Sequence, residues 1–137
     1  MARAEVIRRR LQKLDEYLAI LRGLQCYGLA SFLEDPEHYG SAERFLQLAI
    51  ETLNDMGSHM IAELSLGTVE SYRDIPSILA EHGYVEDAMR EKWIRMIGFR
   101  NILVHDYLDL DREIVYQVLQ HDLEDIERLR RAFAQFL

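Results

Sequence analysis

The chain has 137 residues, 49% of them hydrophobic, and a formal net charge of −8 from 16 Lys and Arg against 24 Asp and Glu. This length fits one domain, taken as residues 1–137, with one substantial core, and the acidic balance argues against a general nucleic-acid binder. Seven Gly and two Pro are too few for a turn-rich all-β fold.

The opening Met1–Arg10 lacks the uninterrupted apolar stretch of a secretory signal. No apolar run approaches the roughly 18 residues of a membrane span, so a soluble, cytoplasmic protein with no membrane partner is expected. The lone Cys26 excludes an intrachain disulfide and, in an apolar neighbourhood, reads as a buried small hydrophobe.

The first segment reads as a long helix. Ala4, Ile7, Leu11, Leu14, Leu18 and Leu21 recur at alternating three- and four-residue spacing, which draws one apolar stripe; Gly23 and Gly28 weaken its far end. Asp35-Pro36-Glu37 opens the second helix, with Asp as N-cap, Pro at the first helical position and Glu at the positive end of the dipole. Its stripe is Ala42, Phe45, Ala49, Leu53, Met56 and Met60, widened by Leu46 and Ile61, and it runs to about Leu64.

Gly67 closes that region, and Ser71-Tyr72-Arg73-Asp74 resembles a capping box for a short helix through Ile75, Ile78 and Leu79, stopped at His82-Gly83. Glu86 to about Ile97 is helical again, with Met89, Trp93, Met96 and Ile97 inward, and Gly98 invites a bend. Asp109-Leu110-Asp111 starts a last helix whose inner face is Val115, Leu119, Leu123, Ile126, Phe133 and Leu137. No segment keeps a strand period, so the expected fold is an all-α, up-and-down bundle of four main helices plus one short helix.

Charge is uneven. Arg3, Arg8, Arg9, Arg10 and Lys13 cluster at the start, and Arg90, Lys92, Arg95 and Arg100 before residue 101. They read either as solvated helix faces or as a local basic groove on an acidic body.

The chemistry concentrates in Arg100-Asn101-Ile102-Leu103-Val104-His105-Asp106-Tyr107. A guanidinium can neutralise a dianionic phosphorus centre, and an imidazole can move a proton near neutral pH. That pair suffices to cut RNA without a metal: His105 acts as base for the attacking 2′-hydroxyl or acid for the leaving 5′-oxygen, and Arg100 grips the non-bridging oxygens. Asn101 would orient the imidazole, and Tyr107 would bond phosphate or stack on a base. In a regular helix, however, Arg100 and His105 point about 140° apart. Either the helix is irregular between Gly98 and Tyr107, or a two-fold dimer supplies the two groups from facing copies.

Other sites are poorly supported. His38, His59, His82 and His121 are dispersed, there is no Cys pair, and no Gly-rich phosphate loop occurs. Asp106, Asp109 and Asp111 fit helix capping better than a magnesium site. No metal and no cofactor is expected.

The string Gly98-Phe99-Arg100-Asn101-Ile102-Leu103-Val104-His105-Asp106-Tyr107 resembles the signature of HEPN-domain (higher eukaryotes and prokaryotes nucleotide-binding) proteins of the HepT type. Ala42–Glu51 resembles the second helix of that family, and Asp111–Tyr116 with Asp122-Leu123 its last helix. The resemblance implies a dimeric all-α bundle acting as a metal-independent endoribonuclease toxin, paired with an MNT-type nucleotidyltransferase antitoxin. It further implies Arg100 and His105 as the catalytic pair, Asn101 as the polar residue beside the Arg, and Tyr107 as the tyrosine that the antitoxin blocks by transferring AMP. RNA is then the expected substrate and DNA is not. The competing reading is a noncatalytic helical partner that binds a nucleotidyltransferase or a nucleotide.

Overall fold

A computed structural model describes the backbone of residues 2–137 and the side chains of all of these except Ala2, Arg3 and Tyr107. Its helices are α1 (Ala2–Leu24), α2 (Leu29–Glu34), α3 (Pro36–Glu63), α4 (Asp74–Glu81), α5 (Asp87–His105), α6 (Arg112–His121) and α7 (Leu123–Ala134), with a 3₁₀ turn at Tyr107–Asp109. Among the described residues there is no strand, and no helix is long and apolar enough to cross a membrane. The all-α bundle is as the periodicities predict.

The long α3 is the axis of the bundle, touching each of the other six α-helices. Its start is built as its sequence dictates: the Asp35 side chain accepts from Glu37 N–H at 2.9 Å, and Pro36 fills the first turn. Ala42, Leu46, Ala49, Ile50, Leu53, Met56, Met60 and Ile61 bury its inner face, while Phe45 is only partly covered. Ile7, Leu11, Leu14, Leu18 and Leu21 of α1 pack on it, all 4% exposed or less. Each such side chain contributes roughly 1.5–3 kcal/mol by leaving water. Gly57 sets how closely the short α4 approaches, since a Cβ there would run into Ile75 and lie 3.1 Å from Trp93.

Four expectations need correction. The short helix α2 has no counterpart in the sequence reading, because six residues carry too little periodicity to show; its anchor is the buried Phe32. The last helix is two helices meeting at Asp122, and α7 ends at Ala134, so Leu137 is 51% exposed rather than inward. Val115, Leu119 and Leu123 step by four, a row that drifts around a 3.6-residue helix, and the break restores register for Ile126, Leu129 and Phe133. Cys26 is exposed, because α1 ends at Leu24 and leaves it in a turn rather than on the apolar stripe. Gly98 does not bend its helix: α5 runs unbroken to His105, with Met96 and Ile97 before the glycine and Leu103 after it packed into the core.

Among the described residues most of the clustered cations lie in ion pairs, while Arg95 lines a cleft with Lys92 and Arg128 that also holds the acidic Asp122, Glu124 and Asp125. Arg9 pairs with Glu5, Arg10 with Asp55, Lys13 with Glu16, Arg90 with Glu91, Lys92 with Asp125 and Arg100 with Glu51.

Candidate active site

Two helices position the candidate groups. α5 leads from the core outward and ends at His105, where Asp106 N–H closes on Ile102 C=O at 3.0 Å. The chain then turns through Tyr107–Asp109, and Asp111 starts α6 by accepting from Glu113 N–H at 2.9 Å. Of the three aspartates expected to cap, Asp111 does so, whereas Asp106 closes α5 through its backbone alone and makes no side-chain cap bond.

Because α5 is continuous, its two polar groups face different ways. Arg100 turns inward toward α3, its side chain 16% exposed, whereas His105 is exposed. No hydrogen bond joins His105 to Arg100 among the described residues. Helix geometry separates the two by about 140°, and of the two ways around that separation the irregular helix is ruled out up to His105. Tyr107 lies in the 3₁₀ turn, and the expectations for its side chain lie outside the described residues.

Arg100 is held on both flanks. Its Nε and Nη2 donate to Glu51 Oε2 at 2.8 and 2.7 Å, and its Nη1 donates to Asn101 Oδ1 at 3.2 Å. Gln47 Nε2 donates to the same Glu51 oxygen at 3.1 Å. Tyr72 covers part of the guanidinium, its ring centroid 5.6 Å from Arg100 Cζ. A guanidinium has five N–H groups. Three are engaged by Glu51 and Asn101, which leaves one N–H on each terminal nitrogen. Those two remain to donate to oxygens of a phosphate.

Asn101, read as a residue that would orient the imidazole, instead buttresses the arginine. Glu51 and Tyr72 were not singled out as site residues by sequence. Glu51 had a faint signal, a carboxylate set between the buried Ile50 and Leu53 on α3. Tyr72 had none, since its neighbours already explain a helix start: Asp74 accepts from the N–H groups of Glu70 and Ser71 at 2.9 and 3.1 Å.

The outward face around the motif is apolar. Ile102 is 44% and Leu108 84% exposed, and open space lies over Gly98. Among the described residues, no group of three or more His, Cys, Asp or Glu side chains lies together as a metal site would need.

The chain matches the family model described as Ribonuclease HepT-like over residues 7–133. It is 36% identical over 110 residues to the mRNA nuclease HepT of Shewanella oneidensis, covering 80% of this chain and 83% of that one. It is 25% identical over 134 residues to the tRNA nuclease HepT of Aphanizomenon flos-aquae, covering 96% and 90%. A solved structure of the tri-AMPylated Shewanella oneidensis HEPN toxin in complex with MNT antitoxin superposes with a TM-score of 0.87 at 29% identity, over 95% of this chain and 97% of that one.

Proposed function

The chain belongs to the HepT-like ribonuclease family, and from that membership we propose that it is a metal-independent endoribonuclease toxin of a HEPN/MNT pair, with residues 1–137 acting as one HEPN-type unit. The observation that carries the reading is the end of α5, where a guanidinium clamped with two N–H groups free lies five residues before an exposed imidazole.

In the proposed mechanism His105 takes the proton of a ribose 2′-hydroxyl, or protonates the departing 5′-oxygen. Arg100 holds the non-bridging oxygens as charge builds on phosphorus. The bond to the 5′-oxygen breaks as the bond to the 2′-oxygen forms, so the products are a 2′,3′-cyclic phosphate and a 5′-hydroxyl. Relatives that act as an mRNA nuclease and a tRNA nuclease support RNA as the substrate class.

The site is completed by a second copy. Arg100 faces inward and His105 outward on one continuous helix, so a two-fold dimer that sets the ends of two α5 helices side by side is what brings an imidazole to a guanidinium. In this arrangement the His105 of one subunit works with the Arg100 of the other.

Regulation follows the AMPylated relative bound to its MNT antitoxin. A nucleotidyltransferase partner transfers AMP to the Tyr107 hydroxyl, placing a phosphodiester anion and an adenosine two residues beyond His105. The anion pairs with the free N–H groups of Arg100 where the scissile phosphate would sit, and the adenosine blocks entry.

The test is cleavage of total RNA in EDTA by the parent chain and by His105→Ala, with end-group analysis of the products. The reading expects chelator-resistant cleavage by the parent, 2′,3′-cyclic ends, and loss of cleavage in the variant. Activity that disappears in EDTA and returns with magnesium would overturn it. Coexpression with the partner should add adenylate to the Tyr107 peptide, and Tyr107→Phe should escape silencing.

A further inference from the structure

Tyr72 stands between two clefts that open beside the start of the motif. One, of about 300 Å³, contains Arg100 together with Glu51 and Thr52 of α3. The other, of about 450 Å³, has Val69, Tyr72, Arg73, Ile97 and Asn101 in its lining, together with one carboxylate, Glu70. Tyr72 belongs to both, and its side chain is half exposed.

The second cleft has the chemistry of a base pocket. Tyr72 supplies an aromatic wall, and Val69 and Ile97 supply apolar surface. Asn101 supplies a side-chain amide. Its Oδ1 is already taken by Arg100 Nη1 at 3.2 Å, which leaves the amide N–H groups to meet acceptors on a ring edge. Arg73 lines the same cleft, and no ion pair engages it among the described residues. A flat heterocycle that carries phosphates on both sides matches this set. The ring stacks on Tyr72, one phosphate meets Arg100, and the next meets Arg73. An apolar peptide side chain would use neither the amide nor the two flanking cations.

We propose that the cleft between Tyr72 and Asn101 is a nucleobase subsite that takes one unstacked base of single-stranded RNA next to the phosphate received by Arg100. The proposal rests on the ribonuclease reading and deepens it, making Tyr72 the residue that seats the strand. Stacking on an aromatic side chain tolerates any base, so the subsite selects for unpaired RNA, and Asn101 adds a preference for bases with an acceptor on the exposed edge. Paired RNA cannot present a base to Tyr72 without unstacking.

The test uses the full chain carrying His105→Ala, which stops turnover, and a fluorescein-labelled single-stranded RNA oligonucleotide. Tyr72→Ala on that background should weaken binding about tenfold or more, and Tyr72→Phe should stay within about twofold. Tyr72→Trp should bind and lose indole fluorescence as RNA is added; the native Trp93 is fully buried and gives a constant background. An abasic nucleotide at the preferred position should cost the chain that retains Tyr72 the same factor and cost Tyr72→Ala nothing more. Equal RNA affinity with and without the Tyr72→Ala substitution would overturn the subsite while leaving the ribonuclease reading intact. A shift of Tyr72→Ala from dimer to monomer in light scattering, with RNA affinity of any remaining dimer unchanged, would assign the cleft to a second copy and also overturn it. If the His105→Ala chain binds no RNA and the parent cleaves none, the ribonuclease reading fails and the subsite falls with it.

Discussion

The two halves of α5 are each tied to α3 once, and the two ties are opposites. In the inner half, Trp93 is fully buried and its Nε1 donates to Asn54 Oδ1 at 2.9 Å. Two turns further along, Arg100 reaches Glu51, which lies one turn before Asn54 on α3. The first tie is neutral, dry and surrounded by side chains of the core. The second is ionic, partly open to water and beside a cleft. A buried neutral bond contributes mainly to stability, because an unmade bond there costs the desolvation of its partner. A part-exposed ion pair contributes little to stability but fixes where a charge points. The same pair of helices thus holds the fold at one level and aims a cation at the next.

This contrast is sharpest at Arg100 itself. Arg100→Lys keeps the charge but loses the planar fork and the Nε contact to Glu51, so cleavage should fall by roughly 10²-fold or more while the circular dichroism spectrum stays parental. Near-parental cleavage would remove Arg100 from the mechanism. Trp93→Ala should do the reverse: a loss of roughly 3–5 kcal/mol in denaturant unfolding, with the cleavage rate per folded molecule little changed. If its folded fraction were inactive, the two levels of α5 would not be separable.

Glu51→Gln probes the aiming directly. Gln retains an acceptor oxygen but not the charge, so stability should move by less than about 1 kcal/mol. The cleavage rate should nevertheless drop by about tenfold, chiefly in kcat, as the guanidinium loses its fixed orientation. An unchanged rate would mean that Arg100 needs no clamp.

The smallest expected effect lies away from α5, at the break between α6 and α7. Burial and the neighbouring Asp125 hold the Asp122 carboxyl above its ordinary value, against the opposing pull of His121, Arg95 and Lys92. The folded state therefore prefers the protonated acid. The cost of ionisation grows as pH rises from the ordinary carboxylate range through the raised value, and it is complete above that. The Asp122 side chain makes no cap bond to α7, so Asp122→Asn loses none and should raise Tm by roughly 1–2 °C at pH 7. The gain should vanish below about pH 4, where both states of the parent carry the proton. A Tm gain of equal size at both pH values would point to something other than charge.

Periodicity made the long helices legible because their buried faces are simple rows. Ile7 to Leu21 on α1 and Ala42 to Met60 on α3 needed no tertiary information. The Asp35 and Asp111 caps were legible for the same reason, since a cap is local chemistry. Leu29–Glu34 was not, because one buried Phe32 makes no pattern. At the site, the motif on α5 could be read from its own residue types. Glu51 and Tyr72 could not, because each meets Arg100 only through packing between segments far apart in sequence. The direction of Asn101 was misjudged in the same way: four-residue spacing allowed it to meet His105, and the inward turn of Arg100 decided otherwise.

The central claim is that Arg100 of one subunit works with His105 of another. Mixing two inactive chains, Arg100→Ala and His105→Ala, unfolding them together and refolding them gives a population in which about half of the dimers are mixed. Each mixed dimer then holds one composite site with both native groups and one with neither. Recovery of about a quarter of parental cleavage is expected from two preparations that are each inactive alone. Verified mixed dimers that remain inactive would contradict it and place both groups of each site in one chain.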